Sequence, residues 1–418
     1  MKKVSFFTLG CRVNTYETQV MCDIFKKNGY EVADFNEICD VYVVNSCTVT
    51  AMGDKKSRQE LRKAKRKNKD AVCALVGCYA QNLIQKGETF EEADIILGNG
   101  FKDKIIDAVE KALNEKKQQI LVEDALKQRV YSGEKIESFD DKTRAMIKIQ
   151  DGCDRFCSYC IIPYVRGPVK SRKLLDIEEE VERIAACGFK EIVLTGIQVA
   201  AFGQDTKEGS LCDVVEMCAK IDGIERVRLG SVEPVIITDE FLTRVKNTGK
   251  FCPSFHISLQ SGCDETLKRM NRRYTSEKYF EAVLKIREYF PFAGITTDVI
   301  VGFPGETEEE FKKSLAFAEK VGFTHIHVFP YSIREGTKAA TMEGQIDKSI
   351  KDIRVKLMND VGEKSHKEFL EKLKGETFKV LVEREKEKCV YVGYTENYIE
   401  VEIKSEKNIT GEIVDYAF

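Results

Sequence analysis

The stretch DGCDRFCSYC, from Asp151 to Cys160, places cysteines at 153, 157 and 160. It follows the apolar run 145–152, which predicts a buried strand. Three thiolates on one loop can ligate three irons of a [4Fe–4S] cluster and leave the fourth iron open. A structural zinc site needs four closed ligands, and no fourth Cys or His lies nearby in the sequence. The spacing therefore favours an iron–sulfur centre over a zinc site.

A series of alternating strands and helices continues from this loop. Helices are predicted between the strands, for example over 177–188 and 307–322. Six βα units are too few for a closed eight-stranded barrel, so we predict a partial (β/α)6 TIM-like barrel with its site at the C-terminal strand ends. The predicted strands are 145–152, 190–196, 226–231, 254–262, 294–305 and 325–332.

The N-terminal region carries three more cysteines at corresponding positions. The predicted strands 4–10, 40–47 and 71–78 lead into or end at Cys11, Cys47 and Cys78, with helical segments between them. Because the ends of parallel strands meet at one edge of a sheet, we expect these thiols to converge. The alternative is that each is a separate buried thiol.

The chain divides into four parts by pattern. We predict an N-terminal parallel α/β domain over 1–114, a linker over 115–143 and the barrel domain over 144–370. Residues 371–418 alternate with period two between turns, which indicates a small antiparallel β-barrel of the OB type.

The composition excludes several classes of protein. Of the 418 residues, 43% are hydrophobic and 32% charged, which is typical of a soluble globular chain. The 15 cysteines are an odd number and too few for a disulfide scaffold, and no secretory signal or membrane-length apolar run is visible. We therefore expect a cytoplasmic protein without a membrane partner, and nothing requires more than a monomer. The net charge of −3 excludes a globally basic nucleic-acid binder but not a local basic surface.

The motif of the first cysteine triplet resembles that of the radical S-adenosylmethionine (radical SAM) superfamily, including Tyr159 before the last cysteine. Its continuation, CIIPYVRGPVKSR (160–172), resembles the methylthiotransferase branch. The final β-domain resembles the TRAM modules that bind RNA. Five further motifs are similar to those of the tRNA N6-threonylcarbamoyladenosine methylthiotransferases: LGCRVNTYET (9–18), VVNSCTVT (43–50), GDKKSRQ (53–59), LQSGCDETLKRMNRRYT (259–275) and DVIVGFPGETEEEF (298–311).

This resemblance implies a reaction that side-chain acids and bases could not readily perform, because the C2–H bond of adenine is not activated. It implies a catalytic cluster on Cys153, Cys157 and Cys160, which binds S-adenosylmethionine and cleaves it to a 5′-deoxyadenosyl radical. It also implies a second [4Fe–4S] cluster on the N-terminal cysteine triplet, which supplies or carries sulfur, and a second S-adenosylmethionine as methyl donor. The product would be a 2-methylthio group on threonylcarbamoyladenosine 37 of tRNA, with an electron donor such as flavodoxin or ferredoxin.

Polar residues at the barrel strand ends are candidates for cofactor contacts, although helix caps and loop hydrogen bonds are the simpler alternative. Arg166 and Arg172 could meet a carboxylate or phosphate, or lie on the surface. His256, His325 and His327 could line the barrel or be core histidines. The predicted cofactor-binding residues are Tyr159, Thr195, Gly196, Gln198, Ser231, Glu233, Gln260 and Ser261.

Two basic segments are candidates for tRNA contact. The run 55–69 contains nine Lys and Arg against one acid, which is typical of a solvated helix face but follows the Cys47 loop. The segment 268–274 adds basic and aromatic groups near the barrel mouth. The predicted RNA-binding residues are Lys55, Lys56, Arg58, Arg62, Arg272 and Arg273.

Other interpretations remain open from the sequence. The substrate could be isopentenyladenosine 37 of tRNA or an aspartate of a ribosomal protein. The chain could also be a non-enzymatic iron–sulfur RNA-binding sensor, although such a protein has no need of an open iron. The other nine cysteines match no ligand motif and are predicted to be structural: Cys22, Cys39, Cys73, Cys187, Cys212, Cys218, Cys252, Cys263 and Cys389.

Overall fold

The N-terminal domain is a parallel six-stranded sheet with strand order β2-β1-β3-β4-β5-β6. The computed structural model describes residues 1–131, 135–136 and 143–418, so part of the predicted linker lies outside the described residues. The strands are β1 Lys3–Thr8, β2 Glu31–Val32, β3 Val41–Ser46, β4 Val72–Gly77, β5 Ile95–Leu97 and β6 Gln119–Leu121. The helices are α1 Arg12–Lys27, α2 Ala51–Lys67, α3 Cys78–Gln85 and α4 Ile105–Glu115.

The central strands of this sheet are buried throughout because helices cover both faces. Every residue of β3 and β4 is buried. Helices α1 and α4 pack on one face and α2 and α3 on the other, as two separate apolar clusters. The edge strands β2 and β6 are too short to show a hydrophobic period, and the sequence did not indicate them as strands. Strand β6 pairs with β5 although it lies within the predicted linker.

The second domain is an open barrel with six parallel strand positions, one of which is shared by β11 and β12. The first sheet has the order β11-β10-β7 and the second β12-β13-β14-β15, and the two meet at Gly230. Its strands are β7 Arg144–Lys148, β8 Gln150–Asp151, β9 Lys170–Ser171, β10 Glu191–Thr195, β11 Arg226–Leu229, β12 Ser231–Val232, β13 Ser254–Ile257, β14 Gly294–Val301 and β15 His325–Pro330. Its helices are α5 Ile162–Arg166, α6 Leu174–Ala186, α7 Leu211–Lys220, α8 Asp239–Asn247, α9 Asp264–Arg269, α10 Ser276–Tyr289, α11 Glu308–Val321 and α12 Lys348–Lys372.

Side chains alternate between the outer and inner faces of the barrel strands. On β10, Ile192 and Leu194 belong to the core under the helices, so Glu191, Val193 and Thr195 point into the lumen. Several of the helices begin with side-chain caps of the usual kind, such as the capping box formed by Thr307 at the start of α11. Strands β7 and β15 are the two open edges, and α1 of the N-terminal domain packs beside β7.

The C-terminal domain is a four-stranded antiparallel sheet with strand order β18-β17-β16-β19. Register shifts interrupt the pairing of its first two strands, which curves the sheet toward a half barrel. The predicted α/β fold with a parallel N-terminal domain, a partial barrel and a small antiparallel C-terminal domain is thereby confirmed. Its strands are β16 Thr377–Glu387, β17 Val390–Thr395, β18 Glu400–Lys404 and β19 Ile413–Ala417.

No helix within the described parts of the chain is both long enough and apolar enough to cross a membrane.

Candidate iron–sulfur centres at the domain interface

The loop that carries Cys153, Cys157 and Cys160 lies between β8 and α5 at the barrel mouth. The Cys153 amide donates to the Gly167 carbonyl at 3.0 Å, and the Cys160 amide donates to the Cys157 carbonyl at 2.9 Å. Burial raises the pKa of Cys153 to about 11 and that of Cys160 to about 12. These thiols therefore stay protonated until iron, which deprotonates a coordinating thiol, is bound.

A turn with left-handed backbone leads into this loop. Gly152 has φ +74°, and a Cβ atom at this position would overlap the Pro168 carbonyl oxygen. Further along the loop, the Ser158 amide donates to the Met270 carbonyl at 3.0 Å, and its hydroxyl donates to the Arg269 carbonyl at 2.8 Å. The loop is thus held by backbone contacts at both ends.

The second triplet lies at the C-terminal edge of the N-terminal sheet, as the strand ends predict. A Cβ atom at Gly10 would come within 2.8 Å of the Cys47 Sγ, so the first two loops touch. Burial raises the pKa of Cys47 to about 12, and the neighbouring Cys78 and Cys11 thiols contribute to this rise. Cys11 precedes α1 and Cys78 begins α3, and a helix N-terminus favours a thiolate.

Both triplets suit a cluster better than a single ion. Among the described residues, no group of three His, Cys, Asp or Glu side chains closes around one metal ion. A [4Fe–4S] cluster does not require such closure, because each thiolate ligates a different iron. The donor set is thiol-only in each triplet, which is the chemistry that iron–sulfur clusters prefer.

A buried ion network joins the two centres across the domain boundary. Arg166 is fully buried, and its Nη1 lies 2.9 Å from the Glu17 Oε1 and 3.0 Å from the Asp151 Oδ1. Lys148 bridges the same two carboxylates at 2.7 and 2.8 Å, and Lys102 pairs with Glu17. Burial acts to raise the pKa of Glu17, but the three cations together hold it well below its usual value.

The cations of this network outnumber its carboxylates. The Arg166 Nε donates to the Cys78 Sγ at 3.2 Å, and Lys170 donates to the Arg166 carbonyl at 2.8 Å. The surplus positive charge therefore lies beside a candidate cluster ligand. A thiolate-ligated cluster is anionic, so this is the counter-charge that such a cluster needs.

Arg272 provides a similar contact at the other centre. Its Nη1 lies 3.3 Å from the Cys157 Sγ, and its side chain is 7% exposed. The structure thus places this predicted RNA-binding residue against a candidate cluster ligand. Arg273, its neighbour, is exposed.

Several predicted cofactor residues gather around Arg155 of the cluster loop. The Arg155 Nε donates to the Glu233 Oε2 at 2.8 Å. With its amide oxygen turned toward Arg155, Gln198 accepts from the same Nε at 2.8 Å. A Cβ atom at Gly196 would come within 2.9 Å of the Gln150 carbonyl oxygen, so the strand end tolerates only glycine without adjustment.

The remaining predicted cofactor residues surround the barrel mouth less closely. Tyr159 contacts Phe303, with ring centroids 6.4 Å apart, and burial raises its pKa well above the usual value. Gln260 is buried at φ +68° and pairs its backbone with β14. Of the others, Thr195 and Ser261 are buried and Ser231 is exposed.

The basic run forms α2, whose exposed face is partly neutralised by acids. Lys56 pairs with Glu60 at 2.7 Å, and Arg62 pairs with Glu92 at 2.7 Å. Arg58 donates to the Tyr79 hydroxyl at 2.6 Å. Lys55 is exposed, with no ion pair to any described residue.

Sequence reasoning missed the acids and lysines of the ion network. Arg166 and Arg172 are both buried, and neither lies on the surface. Glu17 lies in the middle of an amphipathic helix pattern, where a single acid gives no sign of burial. Seven of the nine unassigned cysteines are buried, while Cys187 is exposed and Cys389 is half-buried.

Comparisons with known proteins agree with this arrangement. The radical SAM superfamily model matches residues 147–318, and the model described as uncharacterized protein family UPF0004 matches residues 3–98. The structure is similar to that of a radical SAM methyltransferase, TsrM, from Kitasatospora setae, with a TM-score of 0.57 at 16% identity over 81% of this chain and 77% of that one. The barrel and its cluster loop therefore define a radical SAM enzyme, which uses S-adenosylmethionine and [4Fe–4S] clusters.

Relatives along nearly the whole chain narrow this class. The threonylcarbamoyladenosine tRNA methylthiotransferase MtaB of Bacillus subtilis is 39% identical over 99% of this chain and 93% of its own length. The enzyme of the same name from Aquifex aeolicus is 38% identical over 99% of both chains. A tRNA-2-methylthio-N(6)-dimethylallyladenosine synthase from Oceanobacillus iheyensis is 36% identical over 99% of this chain and 81% of its own length. The chain belongs to the threonylcarbamoyladenosine tRNA methylthiotransferase family.

Proposed function

We propose that this chain adds a methylthio group to C2 of N6-threonylcarbamoyladenosine 37 in tRNA. The observation that carries the proposal is the similarity, over 99% of this chain, to two threonylcarbamoyladenosine tRNA methylthiotransferases. The two separate thiol triplets at one domain interface support it, because insertion of sulfur into an unactivated C–H bond needs both a radical source and a sulfur source.

We assign the catalytic cluster to Cys153, Cys157 and Cys160 and the auxiliary cluster to Cys11, Cys47 and Cys78. When bound, the clusters and S-adenosylmethionine supply the radical, the sulfur atom and the methyl group. The protein orients these groups: the loop contacts of Cys153 and Cys160 fix the first triplet, and strand ends β1, β3 and β4 fix the second. The Arg166 network fixes the position of the two domains, and hence of the two clusters, relative to each other.

The polar group around Arg155 positions S-adenosylmethionine in this proposal. Gln198 and Glu233 hold the Arg155 guanidinium in place. The narrow space at Gly196 lets a ligand approach the backbone of the β10 end. Tyr159, Thr195, Ser231, Gln260 and Ser261 complete the proposed cofactor-binding set.

The tRNA backbone is proposed to lie along the exposed basic groups of both domains. Lys55 on α2 and Arg273 after α9 are exposed and are the strongest candidates for phosphate contact. Lys56, Arg58 and Arg62 would contribute after exchanging their protein partners. Arg272 would contribute less directly, because it contacts Cys157.

We further propose that the enzyme works as a cytoplasmic monomer and receives its electron from a flavodoxin or ferredoxin. The six candidate ligands all come from one chain, so neither site needs a second copy to complete it. Size-exclusion chromatography with light scattering tests it, since a stable dimer of the reconstituted protein would contradict it.

The activity is tested with anaerobically reconstituted protein, S-adenosylmethionine, dithionite and tRNA that carries threonylcarbamoyladenosine. We expect 5′-deoxyadenosine and the 2-methylthio nucleoside by liquid chromatography and mass spectrometry. A product on dimethylallyladenosine but not on threonylcarbamoyladenosine would contradict the proposed substrate. Absence of 5′-deoxyadenosine from protein with intact clusters would favour a non-enzymatic sensor.

The ligand assignment is tested by iron, sulfide and Mössbauer measurements on two Cys→Ala triples. Each triple should lose one [4Fe–4S] cluster and retain the other. The matched control replaces Cys187, Cys212 and Cys389, which no candidate site uses, and should retain both clusters. A wild type with fewer than two clusters, or a control triple that loses one, would contradict the assignment.

A further inference from the structure

The inner floor of the barrel carries a cluster of arginines around one acid. Arg226 and Arg228 lie 3.1 Å from the two carboxylate oxygens of Glu191, and Arg144 lies 3.7 Å from the same group. Glu191 is 1% exposed, so its charge is fully engaged by these partners. Three arginines therefore share this one carboxylate.

The C-terminal domain occupies most of the remaining donors of this floor, while the buried Arg226 Nη2 has no hydrogen-bond partner among the described residues. Arg228 donates to the Thr395 and Glu396 carbonyls at 3.3 and 3.0 Å. The Tyr398 ring lies 5.1 Å from the Arg144 guanidinium and 4.8 Å from that of Arg228. Each floor arginine thus has structural partners on the barrel or on the C-terminal domain.

Arg12 differs from these arginines. It is the first residue of α1, directly after Cys11. Its guanidinium lies within electrostatic range of the floor group, which includes Glu191 as well as Arg144, and of His327 on β15. Because β7 and β15 are the two open edges of the barrel, Arg12 lies in the seam between them. Its side chain is exposed to solvent, and α1 packs beside the open edge strand β7.

No hydrogen bond or ion pair joins the Arg12 guanidinium to any of the residues that the structure describes. The other lumen acid, Asp298, lies 3.3 Å from the His256 Nε2 and is engaged there. Of the charged groups within electrostatic range of Arg12, Glu191 attracts the guanidinium, but Arg144 and Arg228 repel it and already pair with Glu191. The hydrogen-bond donors of Arg12 therefore remain available to an anion. The seam is therefore built to receive a negative charge from the lumen.

The proposed substrate carries such a charge. The threonylcarbamoyl substituent on N6 ends in a carboxylate, whereas a dimethylallyl substituent is apolar and uncharged. In adenine, C2 and the C6 atom that carries N6 are both bonded to the ring nitrogen N1, so a group beside Cys11 can contact the N6 substituent while C2 faces the auxiliary cluster. A planar guanidinium suits a carboxylate because it can donate two parallel hydrogen bonds.

We propose that Arg12 binds the carboxylate of the threonylcarbamoyl substituent and thereby selects this nucleoside over adenosines with an apolar or no N6 substituent. This inference rests on the proposed function. Arg12 is a specificity-determining residue here, since it contacts the substituent and not the reacting carbon.

The test measures binding of two anticodon stem-loop RNAs that differ only in carrying threonylcarbamoyladenosine or adenosine at position 37. Fluorescence anisotropy with anaerobic holoenzyme gives each Kd. Wild type should prefer the modified loop, and Arg12→Gln should weaken its binding about 10- to 100-fold while leaving the unmodified loop unchanged. Arg12→Lys should be intermediate, because it keeps the charge but loses the paired donors.

Two controls separate this role from a structural one. Lys220→Gln, an equal change of charge at the exposed end of α7, should bind both loops as wild type does. The iron content of Arg12→Gln should match that of wild type, which would show that the Cys11 loop is intact. A damaged Cys11 loop would weaken the binding of both RNAs alike.

Two results would overturn the inference. If wild type forms the methylthio product but Arg12→Gln keeps the full preference for the modified loop, Arg12 does not read the carboxylate and the proposed function stands. If wild type forms no product on threonylcarbamoyladenosine, the proposed function fails and the inference fails with it.

Discussion

Replacement of Arg166 by Met should destabilise the junction between the N-terminal domain and the barrel. The guanidinium is fully buried and hydrogen-bonds to Glu17, Asp151, Asn14 and the Cys78 thiol. Methionine has similar length but leaves both carboxylates with fewer counter-charges. Breaking a buried ion pair from one side costs about 3–5 kcal/mol. Lys148 still pairs with both acids, so we expect a loss near 3 kcal/mol, the low end of that range.

Arg244→Met is the matched control. Arg244 also contacts two carboxylates, Asp213 and Glu216, but it is 30% exposed on the surface of α8. Exposed pairs contribute about 0–1 kcal/mol because water screens them. Urea unfolding followed by far-UV circular dichroism measures both variants, since the chain has no tryptophan.

The two variants are compared by their loss of free energy of unfolding. A destabilisation of Arg166→Met no greater than that of Arg244→Met would refute it. The double variant Arg166→Met with Glu17→Gln should be less destabilised than the sum of its single variants, because it removes the acid left without its partner. Iron content should also fall in Arg166→Met, since Arg166 contacts Cys78.

Three further predictions concern the cluster loop, the lumen and the C-terminal domain. Gly152→Ala should lower iron incorporation, because a Cβ would overlap the Pro168 carbonyl, whereas Gly188→Ala has a similar φ, +88°, with nothing within 4 Å and should keep its iron. Burial lowers the pKa of both His325 and His327, so the unfolded chain binds more protons and the free energy of unfolding should fall as pH drops below about 6.5. If the double variant His325→Gln with His327→Gln loses as much stability with falling pH as wild type in urea titrations, these histidines are not the cause. Tyr398→Leu should loosen the C-terminal domain by about 1–3 kcal/mol through loss of two arginine–ring contacts, and unchanged protease sensitivity of that domain would argue against it.

The sequence predicted much of the architecture because local patterns carry it. The apolar strand runs and helix caps gave the six strand positions of the barrel and the order of the three domains. They failed at β2 and β6, whose two or three residues are too short for a period and form only by pairing with a neighbouring strand. The sequence patterns also did not indicate strand β19, Ile413–Ala417. It pairs with the distant strand β16, so no turn to a neighbouring strand marks it as one arm of a hairpin.

The two cysteine triplets can be picked out of the sequence, because cysteine spacing and strand ends are local features that need no knowledge of packing. Which charged groups lie beside these cysteines becomes visible only in the folded chain. Glu17 and Lys148 are 131 positions apart and look like ordinary surface residues until the two domains bury them together. The sequence gives no sign of a role for Arg12 and leaves two interpretations of Arg166 open. Packing leaves Arg12 without an ion pair in the barrel seam and surrounds Arg166 with acids. Burial sets the strength of a charge interaction, and burial arises only when distant segments pack.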